Sequence, residues 1–207
     1  RIPSINYLKK KLKKILKNKK ICKVALFSSV VPKYKLILKK FLNKFYKINL
    51  REIKEKNISK IVEINIKSKN QVGSDRIVNA VGVYKKYKKD CIVLDFGTAT
   101  TFDVVTKEGV YNGGIIAPGI NLSMKSLSYS ADQIPIFSIK KQKKIIGKNT
   151  IEALRSGFYW GYAGLINNII KKIEKETKKK YKIIFTGGYA DLFKTSIIRP
   201  FTIDKNI

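Results

Sequence analysis

A chain of 207 residues that is 44% hydrophobic and 11% aromatic can bury a core in one large domain or two small ones, which excludes a disordered chain. Its 45 Lys and Arg against 14 Asp and Glu give a net charge of +31. It has no histidine, so the commonest general base and metal ligand is absent, and acid–base chemistry falls to carboxylates, lysine or tyrosine.

The charge has two readings. One is a surface for nucleic acid or an acidic membrane. The other is the lysine bias of an AT-rich coding sequence, spread over solvated faces. Only five of the basic residues are arginine (Arg1, Arg51, Arg76, Arg155 and Arg199), the side chain suited to bidentate phosphate and base contacts, and this favours bias. Cys22 and Cys91 each open an apolar run and read as strand core residues, with no metal-ligand spacing and no disulfide framework. No run of about 18 apolar residues spans a membrane and no signal peptide is visible, so a cytoplasmic protein is expected. Residue 1 is Arg and FTIDKNI (201–207) offers no closing element, so both ends read as cut.

In chain order, INYLKKKLKKILKN (5–18) sets Leu8, Leu12, Ile15 and Leu16 on one helical face opposite lysines. Such a helix packs its stripe on a sheet or lies on a membrane, and packing is the ordinary case. CKVALFSSVVP (22–32) reads as a buried strand and a Ser-Ser turn, with Pro32 where a helix begins. Tyr34, Ile37, Leu38, Phe41 and Phe45 follow at helical spacing, and KIVEINIK (60–67) alternates as a strand. After Gly73 a helix is expected from Arg76 to about Lys88. CIVLDFG, TTFDVVT and GVYNGGIIAPG then predict an antiparallel three-strand meander. A helix is expected near Leu122, an irregular stretch at 132–149, and a long helix from Thr150, its expected N-cap, to about Lys175. YKIIFTGG reads as a further strand opening on a double glycine, and 191–196 as helical. The composite is α/β with a mixed sheet.

Of the few carboxylates, Asp75, Asp95, Asp103 and Glu108 stand beside glycines at strand ends or turns, where a substrate could approach the backbone. No Walker-type phosphate loop exists: IIGKNT (145–150) has Gly-Lys without the leading glycine or the following hydroxyl residue. Asp95-x-Gly97-Thr98 after an apolar strand has another use. Glycine lets backbone approach a phosphate, Thr98 can donate to it, and Asp95 can hold a cation. The same residues also suit a plain capped β-turn. Gly73-x-Asp75-Arg76 opens a helix, and helix N-termini favour anions. An N-capping Asp with a surface Arg is the alternative.

GSDRIVN (73–79), DFGTATTFD (95–103), GGIIAPG (113–119), GKNTIEALRSG (147–157) and FTGG (185–188) occur in the order and spacing that resemble the type III pantothenate kinases, and SSVVP (28–32) is similar to that family's strand-to-helix turn. The resemblance covers nearly the whole chain. It implies the acetate kinase, sugar kinase, Hsp70 and actin superfamily: α/β, two ribonuclease H-like (actin-like ATPase) lobes with mixed sheets, here divided as 1–88 and 89–207. It implies transfer of the γ-phosphoryl group of ATP to the hydroxyl of pantothenate, the first step of coenzyme A synthesis. ATP with Mg²⁺, a monovalent cation (potassium or ammonium) and a homodimer are implied, with no membrane or nucleic-acid partner. By motif, Asp75 matches the catalytic base, Gly73, Ser74 and Arg76 the pantothenate loop, Thr150 a further pantothenate contact, Thr98 an ATP contact and Asp95 the cation ligand. Gly187 and Gly188 resemble the turn near the nucleotide.

The family's Asp-x-Gly-Asn-Thr loop on a first strand has no counterpart here, so the N-terminal lobe is expected to be incomplete. Seven residues before Gly73, where many members carry an aromatic, stands Ile66. The competing expectation is a non-catalytic relative of the same fold acting as a regulatory or nucleic-acid-binding protein. Retention of both the Gly-x-Asp-Arg and Asp-x-Gly-Thr motifs argues for the enzyme.

Overall fold

The computed structural model describes residues 5–16, 22–28, 32–53, 60–131 and 133–207. They fall into two units, residues 1–61 with 70–78 and residues 62–69 with 79–207.

In the first unit, α1 (Ile5–Leu16) is followed by β1 (Val24–Phe27), α2 (Pro32–Tyr46) and β2 (Asn49–Glu52). Proline suits the first position of α2, where its missing N–H costs no helical bond. The two strands pair in parallel from Val24↔Asn49 to Phe27↔Glu52, which makes α2 their crossover. α2 ends where Lys47 turns left-handed (φ 55°), and the Lys47 and Ile48 N–H groups reach back to the Asn43 and Leu42 carbonyls. Phe41, Leu42, Ile48 and Leu50 form the core, with Leu12 and Leu16 of α1 packed against it. The α1 stripe therefore packs as expected at these two residues, while Ile15 stays exposed. Ser29, Val30 and Val31 of the expected Ser-Ser turn and the Leu8 side chain lie outside the described residues.

Two expectations fail here. Cys22 is exposed rather than a core residue, because the strand begins two residues after it. β1 is not a buried strand either: Val24 and Leu26 are exposed, and only the alternate residues Ala25 and Phe27 pack on the core.

The second unit is built on a six-stranded mixed sheet of order β3-β6-β5-β4-β7-β8. Its strands are β3 (Glu63–Ile64), β4 (Cys91–Phe96), β5 (Ala99–Val105), β6 (Val110–Pro118), β7 (Lys182–Gly187) and β8 (Phe201–Ile203). β4, β5 and β6 form the expected antiparallel meander. β7 lies parallel to β4, β8 parallel to β7, and β3 parallel to β6. The strand expected over 60–67 shrinks to two residues, since only Glu63 and Ile64 pair with β6. β8, in the segment without an expected element, closes the far edge.

β4 is central and its first four residues are fully buried, which accounts for an unbroken CIVL run rather than an alternating one. Ile92, Leu94 and Phe96 pack with Phe102, Ile183 and Phe185 of the neighbouring strands. The long helix α5 (Thr150–Thr177) covers them with Tyr159, Ile166 and Ile170. Phe193 stacks on both Phe96 and Tyr159. α4 (Ile120–Ser130) follows β6, and no helix or strand occurs among the described residues of 131–149. The 191–196 segment is a run of turns rather than a helix.

α3 (Ser74–Tyr87) begins two residues earlier than expected. Its first residues belong to the first unit and its remainder to the second. The N-cap of α5 is Asn149, not Thr150: Asn149 Oδ1 accepts the Glu152 N–H at 2.9 Å, and Glu152 Oε2 returns a bond to the Lys148 N–H at 2.9 Å. The Asn149 carbonyl also accepts the Ala153 N–H at 2.9 Å, so asparagine, the stronger cap, takes that position and threonine becomes the first helical residue.

Candidate active site

The Gly-Ser-Asp-Arg loop lies at the start of α3 in the first unit. The Gly73 carbonyl accepts the Ile77 N–H in the first helical turn. A Cβ at Gly73 would collide with Asp75 Oδ1, so any other residue would displace that carboxylate. Asp75 is exposed in the first turn, where the helix dipole favours negative charge, and its Oδ1 accepts the Arg76 N–H at 2.9 Å. Ser74 is buried and its hydroxyl accepts from Ser28 Oγ at 3.0 Å. Ser28 stands in SSVVP, and its bond to Ser74 spans 46 residues and leaves no local signal in the sequence.

In the second unit, Asp95 sits at the end of β4, and Gly97 and Thr98 form the exposed turn into β5. This turn is pressed from two sides by glycines. A Cβ at Gly119, which follows β6, would collide with the Thr98 carbonyl. Gly187, at φ +84°, would put a Cβ 2.6 Å from both Asp95 Oδ1 and the Phe96 nitrogen. The first glycine of FTGG is therefore required both by its backbone conformation and by the carboxylate beside it. Gly188 donates its N–H to the Phe96 carbonyl at 3.1 Å and has open space around its Cα. The Asp95 Oδ2 accepts from Asn79 Nδ2 of α3 at 3.0 Å. Asn79 stands in the quoted GSDRIVN motif, but nothing in the linear pattern pairs it with β4.

Asp103 is not open to a substrate. It is fully buried in β5 and accepts from the Tyr111 hydroxyl at 2.9 Å and the Thr101 hydroxyl at 3.2 Å. The glycines that flank it in sequence, Gly97 and Gly109, lie in the turns at the two ends of β5, while Tyr111 of β6 closes over it. Glu108 is exposed in the β5–β6 turn. Thr150 is exposed at the start of α5 and lines, with Pro118, Leu127, Gly157, Phe158 and Tyr162, an apolar cavity of about 610 Å³. Tyr162 fixes one wall of it, donating to the Pro118 carbonyl at 3.1 Å and bonding Ser123 Oγ at 3.0 Å.

Among the described residues no three His, Cys, Asp or Glu side chains cluster as a metal cage. Asp95 offers a single carboxylate at the end of β4, and the Gly97 and Thr98 carbonyls of the adjoining turn lie against Gly119.

The mixed sheet flanked by helices is consistent with an actin-like ATPase fold. The solved structure of a Baf family transcriptional activator of Campylobacter jejuni superposes with a TM-score of 0.60 at 22% identity, over 94% of this chain and 81% of that one. The profile of a family described as type III pantothenate kinase matches residues 4–172. A type III pantothenate kinase of Pelagibacter ubique is 51% identical over 192 residues, 93% of this chain and 76% of the relative. One of Jannaschia sp. is 38% identical, over 88% of this chain and 70% of the relative. The chain belongs to the type III pantothenate kinase family and is an enzyme of that kind. ATP and a divalent metal ion come with the kinase class. Among the described residues no helix is long and apolar enough to cross a membrane.

Proposed function

We propose that this enzyme transfers the γ-phosphoryl group of ATP to the primary hydroxyl of pantothenate, giving ADP and 4′-phosphopantothenate, with Asp75 as the base. The family match over residues 4–172 carries the reading, since it includes every residue given a role here except Gly187 and Gly188. Phosphoryl transfer passes through a loose transition state, so the protein's task is positioning and charge neutralisation. A carboxylate in the first turn of α3, held clear by Gly73, suits that task. The hydroxyl oxygen bonds to the γ-phosphorus, the bond from that phosphorus to the bridging oxygen of ADP breaks, and the hydroxyl proton passes to Asp75.

Gly73, Ser74, Arg76 and Thr150 are assigned to pantothenate. Arg76 offers a fork for its carboxylate, and the Ser28–Ser74 bond supports the loop from behind. Thr98 is assigned to an ATP phosphate, on the exposed turn against which Gly119 packs. Asp95 would hold potassium or ammonium, which supplies positive charge beside the phosphates; Mg²⁺ would arrive with ATP. Residues 1–88 and 89–207 are assigned to the two ribonuclease H-like lobes. A homodimer in the cytoplasm completes the reading.

The test follows 4′-phosphopantothenate by mass spectrometry with ATP, Mg²⁺ and pantothenate, in potassium or in sodium, for the native protein and Asp75→Asn. Potassium-dependent product that disappears in the variant supports the assignment. A folded protein that yields no product in either salt overturns it.

A further inference from the structure

The Asn79–Asp95 pair joins the consecutive elements α3 and β4, within the second unit. Asn79 is 5% exposed, and its Nδ2 donates to Asp95 Oδ2 at 3.0 Å. The opposite oxygen, Oδ1, faces Gly187, where a Cβ would stand 2.6 Å away, and Gly97, where one would stand 3.7 Å away. One oxygen is thus held by an amide, and the other lies against the backbone at Gly97 and Gly187. Of the two amide atoms only the NH₂ group can face a carboxylate, so the orientation of Asn79 is set by its partner. A buried side chain of this size with a polar head, placed in the middle of a helix, costs stability unless the head is used.

We infer that Asn79 is a positioning residue for the monovalent cation: it fixes the rotamer of the Asp95 carboxylate so that the oxygens present a fixed array to the ion. The inference rests on the reading of Asp95 as the cation ligand. An amide suits the task because it orients a carboxylate without neutralising it, whereas a lysine or arginine there would compete with the ion for the charge. Supporting groups of this kind tune ligands in ion sites generally, by holding the ligand in one geometry. Asn79 also follows Asp75 by four residues on α3, so the two share one helix face.

The test uses the whole protein with Asn79→Ala, Asn79→Leu and Asp95→Asn. Asn79→Leu keeps the buried volume and removes the donor, and Asn79→Ser keeps a donor on a smaller side chain in case the apolar variants fold poorly. The first readout is the rise in Tm on replacing sodium chloride by potassium chloride at equal ionic strength, without ATP or pantothenate. The second is the potassium concentration giving half-maximal rate, beside the KM for pantothenate at saturating potassium. The native protein is expected to show a potassium-specific rise in Tm that Asp95→Asn abolishes. Asn79→Ala and Asn79→Leu are expected to need about tenfold more potassium, as suits loss of one hydrogen bond to a charged group. Their pantothenate KM should stay within about twofold of the native value, since a saturated site restores the geometry. A merely structural role would lower Tm equally in both salts and leave the potassium requirement unchanged, and that result overturns the inference. Survival of the potassium response in Asp95→Asn overturns the reading of Asp95 itself, and the inference with it.

Discussion

Tyr87 donates its phenolic O–H to the Asp204 carboxylate at 2.7 Å, tying the last turn of α3 to the segment that follows β8. Lys86 Nζ reaches the same oxygen at 2.6 Å, and the Asn206 N–H donates to the other at 3.2 Å. Asp204 is 6% exposed, so these donors replace its water. The bonds from Lys86 and Tyr87 hold its carboxyl below the usual carboxylate value. A depressed carboxyl contributes stability above its unfolded value of about 3.9, and loses it as the pH falls through the lower folded value. Asp204→Asn is therefore expected to cost about 2 kcal/mol at pH 6, as for hydrogen bonds to a charged group. The difference from the native protein should shrink as the pH drops below about 4, which urea melts across pH 3 to 7 will show.

The same bond acts on the other partner. Desolvation and the hydrogen bond to Asp204 push the Tyr87 phenol up to about 12. A raised phenol stabilises the fold below its unfolded value of about 10, and that contribution is lost as the pH climbs to the folded value. Phenolate absorbance should show one tyrosine titrating late in the native protein and missing from Tyr87→Phe. A titration curve unchanged by that substitution would contradict the geometry.

Gly187 and Gly188 separate two uses of glycine in one dipeptide. Gly187→Ala puts a methyl 2.6 Å from Asp95 Oδ1 at a φ of +84°, whereas a Cβ at Gly188 meets nothing within 4 Å. The left-handed backbone alone costs about 1–2 kcal/mol for a side chain. Gly187→Ala is expected to lower Tm and activity together, with Gly188→Ala near native in Tm. Thermal melts and the mass-spectrometric assay on the two variants decide it.

The start of α5 makes a second such pair. Asn149→Ala removes the cap and should cost about 1 kcal/mol with the KM for pantothenate little changed. Thr150→Ala leaves the cap in place and should raise that KM, if threonine meets the substrate, with Tm held. Equal effects of the two variants on both quantities would remove Thr150 from the substrate site.

Asp75→Asn keeps the volume of the side chain and its bond to the Arg76 N–H while removing the base. The rate should fall about 10²- to 10⁴-fold, the usual worth of a general base, with KM for pantothenate within a few-fold. A smaller loss in kcat would make Asp75 an orienting group only.

The central features were legible where local pattern and tertiary role coincide. CIVL is apolar throughout because β4 is covered on both sides, and the glycines between strands mark real turns. The pattern misled where burial depends on distant partners. Cys22 and Val24 carry apolar side chains on an exposed edge, and FTI is too short to announce a strand until β7 is beside it. Asp103 looked accessible because glycines neighbour it in sequence, whereas Tyr111 covers it in space. In the candidate site the motifs named Asp75, Asp95 and Thr98, but Asn79, Ser28 and Gly119 act across long separations that periodicity does not encode.

The parallel pairing of β4 with β7 also sets an order of events during synthesis. Cys91 pairs with Lys182 and Phe96 with Gly187, so β4 has only its antiparallel neighbour until α5 and β7 have left the ribosome. For that interval one edge of this buried strand offers unpaired N–H and C=O groups, a template for wrong partners. Closing so long a loop is slow compared with forming the β4–β5–β6 meander. Until β7 emerges, the β4 edge of the nascent chain therefore stays open to wrong pairing.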